Sequence, residues 1–216
     1  MNTLKPVTRS CCRSCAAPLR HTFVDLGMSP LANSYIDTDH WNAMERFYPL
    51  HVYVCEHCFL VQLESIARPE EIFPDYAYFS SYSDSWLEHA RRYTECVIKR
   101  FGLNRQSWVV EIASNDGYLL QHFVAKDIPV LGIEPAKNVA EAALRHGIPT
   151  QIRFFGDATA RELVQGGEQA DLIIGNNVLA HVPDLNGFVT GLKILLKPNG
   201  VITLEFPSLM RLIEEN

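Results

Sequence analysis

Val109-Val-Glu-Ile-Ala-Ser-Asn-Asp-Gly117 passes from an apolar run into small and polar residues, and Tyr118 to Lys126 behind it has helical spacing. That order reads as a buried strand over Trp108 to Ala113, a tight turn and a helix, the first βα unit of an open sheet. The alternation continues downstream. Pro129 to Glu134 reads as a second strand and Ala136 to His146 as a second helix. Gln151 to Phe155 reads as a third, weaker strand, Thr159 to Gln165 as a short helix, and Asp171 to Gly175 as a fourth strand. Leu185 to Leu196 is the next helix, stopped by Pro198 and Gly200 ahead of a fifth strand over Val201 to Phe206. Short apolar strands alternating with helices predict an α/β class with a parallel, doubly wound, Rossmann-like sheet over residues 106–216.

Upstream, residues 69–105 form a polar and aromatic bridge that leads into a helix. Ser83 or Asp84 caps it, and Trp86, Leu87, Ala90, Tyr93, Val97 and Ile98 follow at helical spacing. Cys96 lies on that helix and reads as a core cysteine. Residues 1–68 form a separate small domain that holds five of the six cysteines. Cys12-Arg-Ser-Cys15 and Cys55-Glu-His-Cys58 are two Cys-x2-Cys knuckles. One such pair has the spacing of a redox motif, but two in a core-poor segment predict a tetrahedral Zn(2+) site. Cys11 would give a wider Cys-x3-Cys spacing, so Cys12 is preferred, and His57 reads as an exposed neighbour. Four thiolates leave no open position, which makes the zinc structural.

The formal charge of −6 argues against nucleic acid as a partner, because phosphate contacts need clustered Lys and Arg. No apolar run approaches the roughly 20 residues needed to span a bilayer. The start of the chain, Met1 to Ser10, has no apolar leader-like run, so the expected location is cytoplasmic, where paired cysteines hold metal more often than disulfides.

The turn after the first strand has a single glycine, so it lacks the Gly-x-Gly-x-x-Gly pattern, and it lacks a P-loop lysine. Glu111 and Asp116 would repel phosphate and suit a ligand with a positive charge and a free amino group. S-adenosyl-L-methionine is such a ligand. Glu111, Ser114, Asn115, Asp116 and Gly117 would then form its loop. Glu134 ends the second strand beside Pro135 and can accept two ribose hydroxyls. Phe155 follows the third strand, where an adenine could lie, and Asn176 and Asn177 follow the fourth and could line the site. A capping acid is the plain alternative for Glu134, and ordinary core for Phe155.

Taken together, the knuckles, Tyr76-Ala-Tyr78-Phe-Ser-Ser81, Glu-Ile-Ala-Ser-Asn-Asp-Gly117, Gly-Ile-Glu134-Pro and Asn176-Asn-Val-Leu-Ala-His181-Val-Pro resemble the zinc-domain sugar C-methyltransferases over nearly the whole chain. The resemblance implies a class I methyltransferase core, S-adenosylmethionine as donor and, as substrate, a nucleotide-linked deoxy keto-sugar, typically on thymidine diphosphate. The family continues past the fifth strand with a Glu-His-Phe segment, the last strands of the core and another α/β domain. This chain ends at Asn216, which implies a truncated form, with candidates for the catalytic base outside it and self-association possible through an open sheet edge.

Carbon methylation beside a ketone needs a base for the α proton and a donor for the enolate oxygen. His181, five residues past the fourth strand, is the candidate base or orienting group, with a helix-capping or core role as its alternative. Tyr76 and Tyr78 could donate to a sugar oxygen or act as the acid; a packed aromatic seam is the alternative for them. Two other functions fit the same residues. One is methylation of another small-molecule acceptor. The other is an inactive zinc-ribbon fragment with a vestigial α/β domain.

Overall fold

The computed structural model describes residues 10–64, 67–73, 76–167 and 169–215. The start of the chain read for a leader, 1–9, and two residues of the polar bridge, 74–75, lie outside them. The chain divides between Ile72 and Phe73 into two compact units.

The first unit is built on a three-stranded antiparallel sheet of β1 (His21–Ser29), β2 (Tyr48–Val54) and β3 (Val61–Leu63), in the order β1-β2-β3. A short helix, α1 (Pro69–Ile72), follows. His21 pairs with Val54 and Ser29 with Tyr48, with register shifts after Thr22 and Asp25. β1 is exposed along nearly its whole length, and Phe23, Leu26 and Met28 face solvent. Among the described residues of this unit only Cys12, Cys55 and Gln62 are buried. So small an apolar core cannot offset chain entropy, and a cross-link must stand in for it.

The second unit opens with α2 (Asp84–Phe101). Ser83 caps it by accepting from the Trp86 amide, and it stops at Gly102, whose left-handed φ of 65° only glycine adopts freely. Next come β4 (Val109–Ile112), α3 (Leu120–Val124), β5 (Val130–Ile133), α4 (Lys137–Arg145), β6 (Thr150–Gln151) and α5 (Asp157–Gln165). The unit ends with β7 (Ala170–Asn176), α6 (Leu185–Leu195), β8 (Leu196–Glu205) and α7 (Leu209–Glu214). The five strands run parallel in the order β6-β5-β4-β7-β8. The order reverses at β4, so the crevice beyond its carboxyl end is the expected ligand position.

Period-2 alternation sends side chains to two apolar layers. Val109, Leu172 and Ile174 join Ala90, Val97, Leu120 and Phe123 of α2 and α3. Val110, Ile112 and Ile173 join Ala160, Leu163, Phe188 and Leu192 of α5 and α6. The helix read as a bridge thus contributes its apolar stripe to the sheet's own core: Trp86, Leu87, Tyr93 and Ile98 pack beside Ala90 and Val97.

Two expectations are corrected. The third strand covers Thr150–Gln151 in place of Gln151 to Phe155. Past Gln151 the chain turns away: Ile152 and Phe154 are exposed, and the Phe154 carbonyl accepts from Thr159 Oγ1 instead of a neighbouring strand. Cys96 is exposed, on the polar side of α2.

Candidate active site and metal centre

The two knuckles are the same turn built twice. In the first, the Ala16 amide donates to the Cys12 carbonyl (2.9 Å), the Cys12 amide donates to Ala17 (2.8 Å), and Ala16 takes φ 60°. In the second, the Phe59 amide donates to Cys55 (2.9 Å), the Cys55 amide donates to Leu60 (3.0 Å), and Phe59 takes φ 60°. Left-handed backbone at an alanine and a phenylalanine is strained, and it closes each loop tightly enough to point both sulfurs the same way. The sulfurs of Cys12, Cys15, Cys55 and Cys58 all lie within 4.8 Å of one another. Cys12 to Cys58 and Cys15 to Cys55 are each 3.5 Å. A tetrahedron with Zn–S near 2.3 Å has edges of about 3.8 Å, so this donor set fits zinc. Cys11 and His57 stand outside the cluster.

Four thiols this close cannot all ionise without a cation. Burial opposes ionisation at Cys12, but the amides of Cys15 and Ser14 and the Gln62 side chain outweigh it and lower its pKa to about 6. The Ala17 amide lowers Cys15, yet desolvation and its three thiol neighbours push it up to about 12. Gln62, which sequence reading passed over, donates from Nε2 to Cys12 Sγ (3.2 Å) and accepts from the Arg13 amide (3.0 Å), orienting a sulfur from behind.

In the second unit, the loop after β4 is strained in alternate residues. Ala113, Asn115 and Gly117 have φ of 57°, 51° and 81°. A Cβ on Gly117 would lie 2.9 Å from Ile148 Cγ1, so only glycine fits there. Glu134, buried at the end of β5, ties this loop to the next helix. Its Oε2 accepts from the Asn115 amide (2.9 Å) and its Oε1 from the Ala136 amide (2.8 Å). Burial raises its pKa, and those two amides hold it down.

Glu111 belongs to the α2-facing layer of β4 and is wholly buried. Burial, then the charges of Glu134 and Asp116, raises its pKa well above the carboxylate range. Both its oxygens, Ser114 Oγ and Asp116 Oδ1 are buried with no hydrogen-bond partner among the described residues. Buried oxygens left without a donor fit a ligand that brings an ammonium, as the amino-acid end of S-adenosylmethionine does. In the free chain the folded state holds a proton on Glu111 that the unfolded state releases above about pH 4.3, so stability falls as pH rises from there. Glu111→Gln is therefore expected to raise the melting midpoint of the ligand-free chain by several degrees at pH 7. The gain should vanish near pH 4; equal midpoints at pH 7 in a calorimetric scan would refute it.

The remaining sequence-predicted residues fall around this loop. Pro135 is half-buried between Glu134 and Ala136. Asn176 ends β7 and donates from Nδ2 to the Tyr118 hydroxyl (3.2 Å), and Asn177 takes a left-handed φ of 52°. Phe155 is half-buried edge-on against Phe188, ring centroids 5.4 Å apart, which anchors it to the core through one face. His181 is exposed, closing a short 3₁₀ turn over Leu179–His181 beyond β7.

Residues 76–82 lie across the loop as a strap. Asn115 accepts from the Ser80 amide (2.9 Å) and donates to the Tyr78 carbonyl (3.1 Å). Asp116 Oδ2 accepts from both the Ser81 amide (3.1 Å) and the Ser81 hydroxyl (2.5 Å). Asn138, in the first turn of α4, accepts from the Tyr76 amide (3.0 Å) and donates to the Tyr76 carbonyl (2.8 Å). The rings of Tyr76 and Tyr78 meet edge-on at 6.4 Å. Burial, then the nearby charge of Glu134, raises the pKa of the Tyr76 hydroxyl, so it stays protonated and able to donate.

Residues 12–73 match the family described as "Putative zinc binding domain", and residues 110–202 match the family described as "Methyltransferase domain". The first match takes in all four clustered cysteines, and the second runs from β4 into β8. Among individual proteins, the chain is 31% identical over 205 residues to the C-methyltransferase NovU of Streptomyces niveus, across 95% of this chain and 49% of that one. A ubiquinone biosynthesis O-methyltransferase of Bartonella bacilliformis is 27% identical over 95 residues, 44% of this chain and 38% of that one. The chain therefore spans about half or less of the length of these relatives. The crystal structure of the PH0226 protein from Pyrococcus horikoshii shares the fold, with a TM-score of 0.50, 18% identity and coverage of 68% of this chain and 64% of that one. No helix among the described residues is long and apolar enough to cross a membrane.

Proposed function

We propose that this chain transfers a methyl group from S-adenosylmethionine to the carbon beside the ketone of a nucleotide-linked deoxy keto-sugar. The observation that carries the reading is the likeness to a protein named as a C-methyltransferase along 95% of this chain, through both units. The sugar and its nucleotide are what the family resemblance of the knuckles and the downstream motifs, taken together, implies. Glu111, Ser114, Asn115, Asp116 and Gly117 take the amino-acid end of the donor, Glu134 and Pro135 the ribose edge, and Phe155, Asn176 and Asn177 the surrounding wall. Bound there, the donor supplies an electrophilic methyl on a cationic sulfur. Cys12, Cys15, Cys55 and Cys58 hold a structural zinc, in a reducing, cytoplasmic setting that keeps them from forming disulfides.

The chain's own residues then handle one proton and one oxygen. His181 takes the α proton from the sugar carbon onto a ring nitrogen, leaving the electron pair on the enolate. Tyr76, with Tyr78 beside it, donates a hydrogen bond to the enolate oxygen, where negative charge develops. Replacing His181 by asparagine keeps a polar side chain but removes the base. Turnover should fall by roughly 10²–10⁴-fold, with donor affinity within about threefold. Exchange of the α proton with deuterated solvent should stop as well. Unchanged exchange and turnover would exclude His181 as the base. Methylation of a hydroxyl or amine acceptor in place of the keto-sugar would redirect the reading to another acceptor class.

A further inference from the structure

Glu134 has two separate hydrogen-bonded routes to the tyrosine strap. One runs through the Asn115 amide, held by Glu134 at 2.9 Å, to the Asn115 side chain on Tyr78 and Ser80. The other runs through the Ala136 amide, held at 2.8 Å, into the first turn of α4, where Asn138 two residues on grips Tyr76. Asn138 engages both backbone polar groups of Tyr76, as a neighbouring strand would, so one side chain fixes the height and the direction of that residue. No other side chain holds the Tyr76 backbone among the described contacts. Tyr76 in turn lies within electrostatic reach of Glu134 and Tyr78.

We propose that Asn138 is a positioning residue that sets Tyr76 over the donor site and couples the order of the strap to occupancy at Glu134. The proposal rests on the donor site assigned above. A ligand whose hydroxyls bond Glu134 stiffens the Asn115 and Ala136 amides together, and both routes end on the strap. Donor bound first would therefore pre-form the tyrosine side of the acceptor pocket. Asn138 itself touches neither donor nor acceptor in this scheme.

The test is amide hydrogen exchange of the zinc-loaded chain with and without S-adenosylhomocysteine, in the parent, Asn138→Ala and Asn138→Asp. In the parent, the ligand should slow exchange at Tyr76, Ser80 and Ser81 by about tenfold or more. Asn138→Ala should abolish the effect at Tyr76 while ligand affinity changes less than about threefold. Asn138→Asp can still accept from the Tyr76 amide but cannot donate to its carbonyl, so partial protection is expected. With keto-sugar as acceptor, Asn138→Ala should lower kcat and leave the KM for donor unchanged. Strap protection equal to the parent's in Asn138→Ala, or a loss of ligand affinity as large as that of Glu134→Ala, would overturn the proposal. If the parent binds no ligand, the donor reading fails separately. Exchange at Tyr76 without ligand then decides the clamp: faster in Asn138→Ala supports it, and unchanged refutes it.

Discussion

Glu134→Ala is expected to weaken S-adenosylhomocysteine binding by at least about 100-fold, because each hydrogen bond to a charged group is worth roughly 1.5–3 kcal/mol and two are lost to the ribose. The substitution also frees the Asn115 and Ala136 amides that the carboxylate holds at 2.9 and 2.8 Å, so the loop loses its fixed shape along with its acceptor. Glu134→Gln should recover little. Its NH2 would have to face one of the two backbone N–H groups that the carboxylate oxygens now accept from. Calorimetric titration of both variants against the parent measures the effect. An affinity within threefold of the parent in Glu134→Ala would mean that the donor binds elsewhere.

The second large effect is expected at the metal. Cys55 is wholly buried, and with Cys12 and Gln62 it makes up the buried interior of the first unit among its described residues. Structural zinc sites of this type carry apparent binding free energies of about 10–16 kcal/mol, which in a unit without an apolar core is folding free energy. Cys55→Ser should reduce bound zinc from one ion per chain to a trace and collapse the dispersed amide signals of residues 10–64. The signals of the parallel sheet should persist, because that unit has two apolar layers of its own. Cys96→Ser is the control: an exposed thiol far along the chain from the knuckles should leave the zinc content at one. Full zinc occupancy in Cys55→Ser, by elemental analysis, would remove that residue from the ligand set.

The parts legible in the sequence were those governed by spacing. Strand and helix periodicity located β4, β5, β7 and α6 to within a residue or two, because each buries a continuous apolar face. Two equal knuckles led to the four sulfurs because a Cys-x2-Cys turn is a local geometry. What spacing could not supply was pairing between distant residues. Asn138 reads in sequence as one polar residue on an amphipathic helix; only folding brings it to Tyr76, 62 positions away. Gln62 likewise reads as the polar member of an alternating strand, with its bond to Cys12 lying 50 positions back. The sequence pattern overextends the third strand because Ile152, Phe154 and Phe155 have high strand propensity, yet an edge strand with one neighbour pairs only as far as that neighbour reaches. Cys96 reads as core from its helix, but the stripe that packs runs through Ala90, Tyr93 and Val97 and leaves it outside.

The measurement closest to the central claim is a titration of the zinc-loaded chain with S-adenosylhomocysteine followed residue by residue in amide NMR spectra. Saturable one-to-one binding with micromolar affinity is expected, with the largest shifts at Glu111 to Gly117, at Glu134 to Asn138 and across the strap at Tyr76 to Ser81. A folded, zinc-loaded chain whose spectrum does not move at millimolar ligand, or moves only outside those three segments, would contradict the assignment of this loop as the donor site.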